Sequence, residues 1–267
     1  MSIFVQALPP DIPQRLCHYT RAGNLKNMLK GDTKSVCFWL KNNRDKNDKA
    51  ELQMGIDLMT KAREYLKSKN QFTLLDRLSN FENSYSLSFT EGKVNSHMLT
   101  EYGSACLEFD LRYLDGDKPK KCEYCTEEDI DELAEECIAD FNQCQDLSSF
   151  ESLKKWIVTE WDIIQKIATI KRKTEWEQEG EWRIIMHKQQ NDSRYISAPD
   201  GTQRLILNIP IKALTRITLF YDGENKPEMN KTHAYLKVWK RQNDVRTFDV
   251  VMRDAKRIDN VNNNQSC

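Results

Sequence analysis

Two carboxylates stand two residues apart, Glu179 and Glu181, in the stretch Lys173-Thr-Glu-Trp176-Glu-Gln-Glu179-Gly-Glu181-Trp182-Arg183. In a strand, such a pair shares one face. Held close, the two charges repel, and one carboxyl rises in pKa unless a cation or a substrate hydroxyl sits between them. That arrangement can stabilise developing positive charge or orient a nucleophile. The competing reading is a polar strand face with Arg183 as a loose ion-pair partner.

Histidine is scarce: His18, His97, His187 and His233. No HExxH, nucleophile-elbow, P-loop or dinucleotide-binding glycine motif occurs. His18 lies in Leu16-Cys17-His18-Tyr19-Thr20, a strand-like run followed by a short helical segment. Alone, it is a weak signal and reads first as a hydrogen-bonded core histidine. Cys122 and Cys125 form a CxxC pair that could join Cys137 and Cys144 in a zinc site. Six residues separate Cys137 from Cys144, which is wrong for a zinc knuckle, and Cys137 falls on an apolar helical stripe where a thiol packs well. The acidic surroundings argue against a redox pair, because they oppose thiolate formation.

The elements that must hold these residues follow from periodicity. Gly23 to Lys30 reads as a short helix and Val36 to Leu40 as a strand. Ala50 to Lys67 carries Leu52, Ile56, Met59, Ala62, Tyr65 and Leu66 at helical spacing, an amphipathic helix. Tyr85 to Phe89 and Ala105 to Leu111 read as strands. Ile130, Leu133, Cys137, Ile138 and Phe141 then form a helical stripe. Ser148 and Glu151 have capping-box spacing ahead of Leu153, Trp156, Ile157 and Trp161. Glu181 to Met186, Arg204 to Ile209, Arg216 to Phe220 and Thr247 to Met252 are short β-branched or aromatic runs bounded by turns. Strands in both halves without strict strand–helix alternation predict an α+β fold.

The 267 residues hold 40 Lys+Arg against 41 Asp+Glu, a formal net charge of −1. That balance argues against a bulk cationic nucleic-acid coat, yet leaves room for a local basic site. From Glu123 to Asp140 nine Asp/Glu occur with no Lys or Arg, the pattern of a solvated helix face. Lys166, Lys171, Arg172 and Lys173 form a basic cluster that either steers a nucleic acid or is the exposed end of a helix. No apolar run could span a bilayer, and the start MSIFVQALPPDIPQ lacks the features of a secretory signal. The expectation is a cytoplasmic chain with reduced thiols and no membrane contact. One domain over residues 1–258 is expected, followed by a flexible polar tail at 259–267.

The order of these segments carries more than any one of them. His18-Tyr19-Thr20, a short helix, Asn47-Asp48-x-x-Glu51, Ser86-x-Ser88-Phe89-Thr90, Met98-Leu99-x-x-Tyr102-Gly103 and Trp176-x-x-Glu179-x-Glu181-Trp182-Arg183 follow one another. Together they resemble a widespread bacterial domain of unknown function, itself similar to a distant branch of the ADP-ribosyltransferase superfamily. The opening segment is also similar to that of toxin ADP-ribosyltransferases acting on single-stranded DNA. The resemblance covers roughly residues 15 to 220, and Trp-x-x-Glu-x-Glu-Trp-Arg is its most specific part. The chain departs from the pattern at Leu99 or Thr100, where the family usually has an aromatic, and in the Cys-containing acidic stretch from Cys122 to Cys144.

The resemblance implies a split mixed or antiparallel sheet with flanking helices and an inserted helical pair at about 123–168. It implies transfer of ADP-ribose from NAD, the substrate, with no metal, to a macromolecular acceptor that is either nucleic acid or protein. His18, supported by Thr20, would bind a ribose hydroxyl. Ser86, Ser88 and Thr90 would brace the site, and Phe89, Tyr102 or Tyr19 would stack on nicotinamide. Glu181 would be the catalytic glutamate and Glu179 the residue that orients the acceptor. A role as a bacterial toxin or phage-defence effector, with an antitoxin or defence-system partner, goes with the same resemblance. Two alternatives differ in class. One is a catalytically inactive module of this fold that binds a ligand or partner. The other is a metal-dependent phosphodiesterase using Asp48, Glu51, Glu101, Glu179 and Glu181.

Overall fold

The computed structural model describes residues 8–30, 33–42, 49–68, 84–91, 96–114, 116, 118–142, 149–173, 177, 179–187 and 193–258. The elements run β1 (Arg15–Thr20), α1 (Leu25–Met28), β2 (Ser35–Asn42), α2 (Lys49–Ser68), β3 (Ser84–Thr90), α3 (Ser96–Tyr102), β4 (Ala105–Asp110), β5 (Lys120–Lys121), β6 (Glu123–Cys125), α4 (Asp129–Asn142), α5 (Phe150–Thr169), β7 (Ile170–Arg172), β8 (Glu181–His187), β9 (Tyr195–Ser197), β10 (Gln203–Pro210), β11 (Leu214–Tyr221), α6 (Lys226–Gln242) and β12 (Asp249–Asp254). The fold is mixed α+β with mostly antiparallel strand pairing. No helix among the described residues is long and apolar enough to cross a membrane.

The chain divides into two compact units. The first comprises Met1–Trp39, Ser88–Lys118 and Ile206–Cys267; the second comprises Leu40–Leu87 and Pro119–Leu205. In the first, β1 lies antiparallel to β4 over six register positions, from Arg15–Asp110 to Thr20–Ala105. β4 continues antiparallel to β11, and β11 runs parallel to β12. Alternation sends Tyr19 and Cys17 to one face of β1, where Tyr19 packs with Met98, Cys106 and Phe220. His18 goes to the other face and meets the rings of Phe38 and Phe89. Gly103 carries φ +116°, and a Cβ there would come within 2.7–2.8 Å of backbone atoms of Thr20 and Arg21. The glycine of the Tyr102-Gly103 segment is thus required by the close approach of the chain to the end of β1.

In the second unit the stripe read for α2 holds only in part: Met59 and Ala62 are buried, but Ile56 and Tyr65 are exposed, and Met54 and Leu58 reach the core instead. Met54, Leu58 and Ala62 of α2 pack with Ile130, Ala134 and Cys137 of α4 and with Ile163, Ile164 and Ile167 of α5. The helical pair therefore contributes to this unit's core rather than standing apart from it. Gly55 lets α2 sit against α5, since a Cβ there would lie 2.3 Å from the Ile167 carbonyl oxygen. The acidic stretch begins as a strand, not a helix: Glu123–Cys125 is β6, parallel to β7. Ser148 of the capping box, Cys144, and the Asn47-Asp48 pair lie outside the described residues.

Candidate functional site

The expectation that Glu179 and Glu181 share one face of a strand does not hold. Glu179 sits in a tight 3-10 turn, Gly180 adopts φ +52°, and β8 starts only at Glu181. Glycine takes that left-handed conformation without the steric cost a Cβ would bring. Both carboxylates nevertheless reach one cation. Lys171 Nζ of β7 donates to Glu179 Oε2 at 3.2 Å and to Glu181 Oε2 at 2.7 Å. Arg183, two residues along β8, donates from Nε to Glu181 Oε1 at 2.8 Å and from Nη2 to Glu181 Oε2 at 3.1 Å. Its Nη1 donates to the Ala168 carbonyl at 2.6 Å.

All four charged side chains are buried, and Arg183 is wholly inaccessible. A carboxylate removed from water at this depth must be paired, and here two anions meet two cations. Burial opposes the charge on Lys171, but Glu181 and Glu179 outweigh it and hold the ammonium above the usual lysine range. Tyr124 lies beside the cluster, its ring 5.9 Å from Lys171 Nζ. Its phenol is pushed up to about 12, chiefly by burial, and its oxygen lies 3.4 Å from the Glu181 backbone N–H. Arg183 is thus a buried, bidentate partner of Glu181, not a loose one. Of the basic cluster read from the sequence, Lys171 is buried here, Lys166 pairs with Glu136 and Arg172 pairs with Glu127 at the surface, while Lys173 is exposed.

His18 is held by different means. β1 and β3 share one register position, Cys17–Thr90, and the ladder stops there. The His18 ring takes up the next carbonyl: Nδ1 lies 2.9 Å from Ser88 O. A carbonyl only accepts, so Nδ1 carries the proton. Burial lowers the His18 pKa, and the Ser88 carbonyl opposes that only in part. The imidazole is then neutral near pH 7, with Nε2 as its acceptor nitrogen. Phe38 and Phe89 meet it edge-on at centroid distances of 5.0 and 6.0 Å.

The remaining candidates separate. Thr20 Oγ1 accepts from Asn24 Nδ2 at 3.0 Å, which ties the first motif to the turn that follows it. Thr90 Oγ1 donates to Cys17 O at 3.5 Å. Ser86 is buried in β3 and Ser88 half-buried. Tyr19 is buried on the face of β1 opposite His18, and burial raises its phenol pKa. Phe89 is 1% exposed and packed against Phe109, whereas Tyr102 is 41% exposed at the end of α3. Cys122, Cys125 and Cys137 are buried and in no disulfide. Among the described residues, no group of three or more His, Cys, Asp or Glu side chains could hold a metal ion.

No family model matches the chain, and neither does any curated protein or solved structure. The functional reading therefore rests on the geometry above and on the order of the sequence motifs. Sequence reasoning missed one chemically loaded element, α6. Its signals were present: Pro227 at the start, then Met229, Leu236 and Trp239 on one side among five Lys and Arg.

Proposed function

We propose that the chain is an NAD-dependent ADP-ribosyltransferase acting on a macromolecular acceptor. The observation that carries this reading is the convergence of Glu179 and Glu181 on one positive charge, at 3.2 and 2.7 Å from Lys171 Nζ. A paired-carboxylate environment that already favours a cation suits a reaction whose transition state develops positive charge. In that reaction the bond between ribose C1′ and the nicotinamide nitrogen breaks, and nicotinamide leaves with the electron pair. The acceptor's nucleophile then forms the new bond at C1′ and releases its proton. Glu181 offsets the charge at the ribose, and Glu179 orients the acceptor. His18, neutral and with Nε2 as acceptor, is suited to a ribose hydroxyl. Thr20, Ser86, Ser88 and Thr90 supply the hydroxyl-rich strands of the motif order. Phe89, Tyr102 and Tyr19 are the aromatic candidates for nicotinamide.

The test is release of nicotinamide from NAD by the full chain. The proposal expects release by the wild type and its loss in Glu181→Gln. Removing a charge from the cluster strains the fold, so calorimetric titration of the wild-type protein with NAD serves as a second measurement. No heat of binding in that titration would reject the reading.

A second reading is favoured by one observation, the saturation of Glu181 by Lys171 and Arg183 in a buried site. It takes the cluster as a structural ionic core in a catalytically inactive module of the same fold. That module would bind a ligand or partner, release no nicotinamide, and lose no ligand binding in a Glu181→Gln protein that stays folded.

A further inference from the structure

Near the carboxylate pair, Lys166, Lys171 and Arg172 each pair with a carboxylate. Among the described residues, the basic side chains of α6 form no ion pair. α6 carries Lys226, Lys231, Lys237, Lys240 and Arg241 against one acid, Glu228. At about 100° per residue, Lys226, Lys237 and Arg241 fall within about 60° of one another on a stripe roughly 22 Å long. All three are exposed. Met229, Leu236 and Trp239, on a flank centred about 120° around the helix from that stripe, are buried. Where the helix ends, Lys237, Lys240, Arg241, Asp244, Val245 and Arg246 line a cavity. Its one carboxylate, Asp244, already pairs with Arg246 at 3.2 Å.

A helix C-terminus attracts cations, which accounts for Lys240 and Arg241 in the last turn. It does not account for Lys226 and Lys237 on the stripe, or for Arg246 beyond the helix. The terminal carbonyls are already occupied, since Asn243 N, Asp244 N and Val245 N donate to Trp239 O, Arg241 O and Lys240 O. The negative end of the helix is therefore covered, and the side chains leave a net positive concavity. Lys240 is fixed there, its ammonium donating to Phe248 O and lying 4.8 Å from the Phe248 ring centroid.

The geometry points to α6 and the cavity at its end as a binding surface for the phosphodiester backbone of a nucleic acid. A stripe of like charges suits a repeating anion better than a single phosphate. The burial of the helix's apolar side removes what a bilayer-seeking amphipathic helix needs. Contacts to the backbone position a strand without reading its sequence. The inference needs no NAD chemistry and goes beyond the proposed transfer reaction.

The test is fluorescence anisotropy with labelled single-stranded DNA, single-stranded RNA and duplex DNA, without NAD, across a salt series. Lys237→Ala, Arg241→Ala and Arg246→Ala are combined in one variant, all at exposed positions. A control variant combines Lys67→Ala, Lys154→Ala and Lys155→Ala, also exposed. The expected result is binding by the wild type and the control, with a tenfold or greater loss in the α6 variant. At about 0.7 per phosphate for single strands, three lost contacts flatten the salt slope by about 2. Absence of binding at low salt would overturn the inference, as would equal loss in both variants. So would tighter binding to vesicles of phosphatidylcholine and phosphatidylserine that the α6 variant abolishes. Because NAD is absent, failure here is distinct from failure of the transferase reading.

Discussion

His18 and the Glu179–Glu181 pair carry the same functional reading but are held in opposite ways. The imidazole is neutral, flanked by aromatic rings, and tied by one hydrogen bond to a carbonyl at which the β1–β3 ladder has ended. The carboxylates are ionic, buried, and shared between two cations. Removing His18 leaves one unsatisfied carbonyl. Removing one carboxylate leaves an unbalanced charge in a place water does not reach. Motif residues that look alike on paper therefore differ in what they cost the fold, and a loss of activity means different things at the two places.

The largest effect expected is at Glu181. Glu181→Gln leaves Arg183 and Lys171 with less than their full counter-charge, and breaking a buried pair costs about 3–5 kcal/mol. Urea denaturation followed by tryptophan fluorescence measures it. A cost under 1 kcal/mol would erase the contrast with His18. The combination of Lys171→Met with Glu181→Gln should cost less than the sum of the single changes, with a coupling of about 0.5–3 kcal/mol. Gly103→Ala comes next, at roughly 1–3 kcal/mol, because its φ of +116° and the backbone of Thr20 and Arg21 leave no room for a Cβ. A stable Gly103→Ala protein would show that the end of β1 yields readily.

His18→Phe keeps the ring packing and orphans the Ser88 carbonyl, at about 1–3 kcal/mol. It also tests a pH dependence. The folded-state pKa of His18 lies below its unfolded value. Above the unfolded value of about 6.5, both states are neutral. As pH falls below it, only the unfolded chain takes up the proton, so stability drops. The decline in unfolding free energy from pH 7 to pH 5 should be shallower in His18→Phe; an unchanged slope would remove His18 from the account. The smallest effect is at the exposed Arg172–Glu127 pair, where Arg172→Ala should cost less than about 1 kcal/mol.

Legibility in the sequence followed the range of the interactions. The helices α2 and α4 were readable because helical periodicity is local, and Ile130 and Cys137 do meet Met59 and Ala62 in one core. The buried face of α2 was misassigned, since Ile56 and Tyr65 are exposed while Met54 and Leu58 are buried. The start of β8 at Glu181 was also readable. The turn at Gly180 hid the geometry of its neighbour Glu179, because an ExE spacing says nothing about a left-handed residue between its members. Lys171 looked like a surface cation beside Lys166 and Arg172. Its burial depends on partners 8 and 10 residues away across a turn. The separation of Tyr19 from His18 follows from strand alternation and could have been anticipated. α6 was missed because its apolar side is sparse and its charges dominate the composition. The near-zero net charge concealed a basic surface on that helix.

The central claim is tested most directly by nicotinamide release from NAD, measured with wild type and Glu181→Gln side by side, each shown to be folded by circular dichroism. The account predicts release by the wild type and none by the variant. Equal release by both, or no release and no NAD binding by the wild type, would contradict it.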